Sequence, residues 1–119
     1  MADMGELPLW EQIRKVMGLL DTALRECKER GQRMVTAKAA YYTAKAEAAF
    51  RLREDGHPVT FIQEVLKGEA DVCAAMIEYN AAEVEYENAR EARNVLKKKL
   101  DTLREQYQRE WGAAGREDY

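Results

Sequence analysis

His57 is the single histidine of this 119-residue chain. Its side chain titrates near neutrality, so it is the first candidate for acid–base chemistry. It stands in LREDGHPVTFIQEVLKG, residues 52–68, beside Asp55 and ahead of Pro58. A histidine base needs a nucleophile to activate, commonly serine or cysteine. The chain contains no serine, and Cys27 and Cys73 fall at apolar helical positions. A free cysteine at such a position behaves as a small buried hydrophobe. Carboxylates are plentiful, with Glu78, Glu83, Glu85, Glu87 and Glu91 close together. A di-iron bundle needs inward-facing Glu and Glu-x-x-His pairs on its helices. No histidine follows His57, and Glu83 and Glu87, four apart, flank an apolar stripe instead of occupying it. Two cysteines are too few for a disulfide framework or a structural zinc site. No glycine-rich phosphate loop occurs either. The expectation is a protein with no catalytic residue, no metal and no cofactor, and therefore not an enzyme.

Binding chemistry is better represented. Lys97, Lys98 and Lys99 form a compact basic run with Arg93 close by, and Arg90 and Arg104 extend it. Arg25, Lys28, Arg30 and Arg33 are expected level with it on a neighbouring helix. Such a belt is sufficient for contacts to backbone phosphates. Glu26, Glu29, Asp101 and Glu105 interrupt it, which favours a mixed, solvated surface with intrahelical pairs. The acids around Glu83 and Glu87 have the opposite use: a narrow acidic face can occupy a nucleic-acid channel on another protein.

These residues must be positioned by helices. Ala, Glu, Lys, Arg and Leu dominate, and 34% of residues are charged; with helical spacing, that mixture marks long helices or coiled coils. A first apolar series runs Ile13, Val16, Leu20, Leu24, Cys27, Gly31, Met34, Ala37, Tyr41, Ala44, Ala48, Leu52. Every step is three or four residues, as one face of a helix requires. Its phase passes through Gly31, so one arm is expected over residues 8–54, with Pro8 in its first turn. A second series, Val72 to Trp111, predicts an arm over residues 70–111 and a frayed tail over 112–119.

Residues 55–69 then form a corner. Gly56 supplies a left-handed C-cap and Pro58 forbids continuation. Thr60 and Gln63 have capping-box spacing for a short helix. Its apolar members, Phe61, Ile62, Val65 and Leu66, are expected to plug the end of the hairpin. Asp71 is expected to cap the second arm. The fold class is all-α: one domain, a long antiparallel helical hairpin of coiled-coil character with a capping helix at its corner. Antiparallel closure from matched ends sets Ala44 near Ala81 and Ala82, Ala37 near Asn88 and Ala89, Leu24 near Leu100, Leu20 near Leu103, and Trp10 close to Trp111.

Two helices make a thin core. Met17, Leu19, Tyr42, Phe50 and Ile77 fall beside the main seam, so a homo-oligomer, with a dimer favoured, is expected to cover them. The net charge of −3 generates no strong field toward nucleic acid or anionic membrane. No apolar run is long enough to span a bilayer, and MADMGELPLW lacks the pattern of a secretory signal. A cytoplasmic location follows as the expectation. LREDGHPVTFIQEVLKG and AAEVEYENAREARNVLKKKLDTLREQYQREW together resemble small helical accessory proteins of bacteriophages and prophages. The resemblance covers about two thirds of the chain and excludes the stretch up to Arg33. It implies a role among phage early, DNA-metabolism or counter-defence functions in a bacterial host, and hands over no catalytic residue. The resulting expectation is a non-enzymatic protein that binds a host or phage protein, as a counter-defence inhibitor for example. Phe61, Ile62, Glu83 and Glu87 are the candidate contacts. The alternatives are a DNA-recombination accessory that uses Lys97, Lys98, Lys99 and Arg93, and a purely structural assembly component.

Overall fold

The computed structural model describes residues 7–117, with side chains up to residue 112. It holds α1 (Leu9–Glu54), α2 (Val59–Leu66) and α3 (Ala70–Glu117). The long helices α1 and α3 pack on one another as a helical hairpin. The turn and α2 occupy the stretch between α1 and α3. The second arm does not stop at residue 111: α3 continues through Gly112 and Gly115 to Glu117, because each glycine lowers helix propensity by only about 1 kcal/mol. Residues 118–119 lie outside the described part.

Two compact units divide the chain. The first contains residues 28–88. Its core is Ala48 and Leu52 of α1, Ile62 and Leu66 of α2, and Val72 of α3, with Tyr41, Ala44, Ala49 and Val65 packed around them. The turn after α1 is a complete Schellman motif. His57 N–H donates to Leu52 O at 3.1 Å, Gly56 N–H donates to Arg53 O at 3.1 Å, and Gly56 has φ 89°. That left-handed backbone is why the residue is glycine.

The start of α2 differs from the capping-box expectation. Pro58, at φ −61° and ψ 141°, is the N-cap, and no side chain caps the helix. Its carbonyl accepts from Phe61 N–H at 2.9 Å and Ile62 N–H at 3.2 Å. The fixed proline φ therefore begins the helix early and places Thr60 inside the first turn. Asp71 likewise is not the cap of α3. Cys73 N–H donates to Glu69 O at 2.9 Å, which puts the N-cap at Glu69 and Asp71 one residue into the helix.

Within residues 28–88 the two arms slide relative to the expected level pairs. Ala37 shares a groove with Ala81 and Ala82, Tyr41 stacks on Tyr79 at 6.0 Å, and Arg30 and Arg33 meet Glu85. A Cβ built at Gly31 would lie 3.1 Å from Cε2 of Tyr86, so the Tyr86 ring rests on bare backbone. The ring can approach this closely only where α1 carries no side chain. Gly31→Ala is therefore expected to lose the usual propensity gain of about 1 kcal/mol and to destabilise the chain. In a Tyr86→Ala background the same change is expected to stabilise it. Urea melts of the four proteins measure this coupling; equal gains in both backgrounds would remove Tyr86 as the cause.

The second unit combines residues 7–27 and 89–117 among those described. Val16, Leu100 and Leu103 are buried at its centre, with Leu9, Ile13, Leu20 and Leu96 against them. Ala23 and Cys27 are also buried. Val16, at 0% exposure, takes the place against Leu100 expected for Leu24, which is 43% exposed. At the N-terminus the Pro8 carbonyl accepts from Glu11 and Gln12 N–H at 3.0 and 3.1 Å. Pro8 thus caps α1 from outside its first turn.

Candidate functional site

The corner is the first place to look. Of the four apolar residues expected to plug it, α2 commits Ile62 and Leu66 to the core and leaves Val65 half-buried. Phe61 is 61% exposed and Val59 is also outward. The helical period explains the division: Ile62 and Leu66 are four apart and share a face, whereas Phe61 sits about 100° away from Ile62. Phe61 is therefore outside the plug, and Ile62, at 6% exposure, belongs to the core. Polar contacts also link the elements that meet at the corner. The Cys73 thiol donates to Lys67 O, with Sγ at 2.9 Å. The Arg51 guanidinium donates to both carboxylate oxygens of Asp71 at 3.4 and 3.2 Å, with Glu69 at 3.9 Å. The hydrogen bond from Arg51, followed by its charge, holds the Asp71 carboxyl below its usual range. All three side chains are substantially exposed, so these pairs orient the corner more than they stabilise it.

His57 is exposed. Glu54 and His57 have Glu-x-x-His spacing, but Glu54 ends α1 and Gly56 turns the chain between them. The pair does not share a helical face. No group of three potential metal ligands occurs among the described residues.

The charged candidates separate in the structure. Glu83 and Glu87 are exposed on α3, one turn apart. Between them, Glu85 accepts from Arg30 and Arg33, both at 3.0 Å. It borders a groove of about 330 Å³ together with Arg33, Ala37, Ile77 and Ala81. Glu85 is a residue whose role the sequence reading did not single out. Only the register could have revealed it, since spacing treats it like its acidic neighbours. Arg30 and Arg33 are engaged by this carboxylate, which removes two cations from the expected belt. Lys97, Lys98 and Lys99 are exposed. As consecutive helical residues they point about 100° apart and do not form one face. Arg93 is half-buried, with Nε buried and unbonded, and its Nη2 donates to Asn94 at 3.5 Å.

Met17, Leu19, Tyr42, Phe50 and Ile77 are all exposed, as expected for residues beside the seam. No helix among the described residues is long and apolar enough to cross a membrane. No family model, curated protein or solved structure matches the chain.

Proposed function

We propose that this chain is a non-enzymatic binding protein whose corner docks on another protein through Phe61. The supporting observation is the division of α2, in which Ile62 and Leu66 anchor the helix while the Phe61 ring stands in solvent. An aromatic ring has few side-chain torsions to lose on contact and contributes strongly to an interface. Glu83 and Glu87 are proposed as outlying polar contacts of the same partner. The resemblance to phage accessory proteins supplies the setting, a bacterial cytoplasm during infection, with inhibition of a defence protein as the biological reading. We also propose that the chain works as a self-associated species, since Met17, Leu19, Tyr42, Phe50 and Ile77 are uncovered.

The test is retention of a protein from infected bacterial lysate by the immobilised chain. Phe61→Asp is expected to abolish retention with no change in melting temperature. Joint replacement of Lys97, Lys98 and Lys99 by Gln is expected to leave it intact. Undiminished capture by Phe61→Asp refutes the corner. Loss only in the lysine variant, with a steep salt dependence, would point to nucleic acid.

A further inference from the structure

The N-terminal part of α1 carries a second apolar face. Trp10, Met17 and Leu24 follow one another at seven-residue intervals and are 49%, 44% and 43% exposed. Ile13 and Leu20 lie between them, at the alternating steps of three and four that define a heptad seam. Both belong to the edge of the Val16 core and remain half-buried. The apolar surface of this helix is therefore wider than α3 covers, and its open side has coiled-coil spacing.

The charges beside this seam select the occupant. Arg14 and Asp21 follow Ile13 and Leu20 at the next heptad position, and both are exposed. Arg14 lies over the Trp10 ring, 5.8 Å from its centroid. Asp21 has no ion-pair partner among the described residues. A second copy laid antiparallel, with the two-fold axis at Met17, places Trp10 against Leu24 twice and Met17 against Met17. It also places Arg14 of each copy beside Asp21 of the other. A parallel copy would carry Arg14 and Asp21 to opposite sides of the seam from their counterparts and would form no such ion pair. The surface is complementary to itself in one orientation only, as an isologous two-fold contact requires.

We infer that two copies of this chain pair antiparallel through the Trp10–Met17–Leu24 face of α1, with reciprocal Arg14–Asp21 ion pairs. This rests on the self-associated reading above and assigns its surface and symmetry. The contact spans about two heptads, so the dimer is of the concentration-dependent kind.

Sedimentation equilibrium of the full chain over a range of concentrations tests it. Arg14→Glu and Asp21→Arg are each expected to weaken the dimer roughly tenfold, because each creates two like-charge contacts. The double variant R14E/D21R is expected to return to within about threefold of the original, since the pairs reform with signs exchanged. Met17→Asp is expected to leave a helical monomer with an unchanged low-concentration melt. Met17→Cys is expected to give a covalent dimer under mild oxidation where the unsubstituted chain gives none. A dimer indifferent to Arg14→Glu, Asp21→Arg and Met17→Asp, and not cross-linked through Met17→Cys, would overturn this surface while keeping self-association. A chain that stays monomeric at every concentration would overturn both.

Discussion

Replacing Leu66 by Ala is expected to lower the unfolding free energy by about 2–4 kcal/mol, the range for a large aliphatic side chain removed from a core. Leu66 is one of the two α2 residues that enter the cluster with Ala48, Leu52 and Val72. Its loss leaves a void that neither long helix can fill without moving. Phe61→Ala, one turn away on the same helix, is expected to change stability by less than about 0.5 kcal/mol, as for most surface substitutions. Urea denaturation followed by circular dichroism compares the two. Similar losses for both would mean that Phe61 belongs to the plug after all, and the docking role proposed for it would fall. A His57→Ala control should resemble Phe61→Ala in stability, since His57 is exposed.

The larger effect is expected at Val16, the one fully buried large side chain among those described. Val16→Asp places a carboxylate against Leu100 and Leu103, in a cluster of apolar side chains that offers it no cation. An uncompensated buried charge costs at least about 3 kcal/mol, so the unit of residues 7–27 and 89–117 should lose its helical protection. Hydrogen exchange across α1 and the C-terminal half of α3 measures this directly. Leu24→Asp is the informative companion. At concentrations where the chain is monomeric, it is expected to be tolerated, because Leu24 faces solvent. If it unfolds the protein as Val16→Asp does, then Leu24 and not Val16 packs on Leu100.

The existence and extent of the helices were legible in the sequence because apolar steps of three and four define a face without reference to anything else. The Gly56 turn was legible for a similar reason, as a left-handed residue leaves a local signature. What spacing cannot show is how far one face slides along another. Matched ends suggested Leu24 against Leu100, where Val16 stands instead, and nothing in the spacing marks the Tyr86 ring on Gly31. The misread caps have a different origin. Thr60 and Asp71 have the chemistry of cap residues, but the backbone of Pro58 and Glu69 starts each helix earlier and leaves those side chains inside the first turn. Phe61 was misplaced because four apolar residues in eight cannot all face the same way. At the candidate site, Glu83 and Glu87 were visible as acids, whereas the double ion pair of Glu85 depends on the register and was hidden with it.

The division of the chain into two units has a bearing on how it folds. Residues 28–88 are continuous in sequence, so their contacts close over short loops, beginning at the Gly56 turn. Val16 and Leu100 are separated by most of the chain, and their meeting carries a larger closure entropy unless the corner has already formed. Low contact order favours the continuous unit as the first to assemble. During synthesis its last residue leaves the ribosome before Leu96, Leu100 and Leu103 do, so Val16 must wait with its apolar face uncovered. Substitutions in the Leu52–Leu66 cluster should accordingly slow folding, while those at Val16 should mainly hasten unfolding.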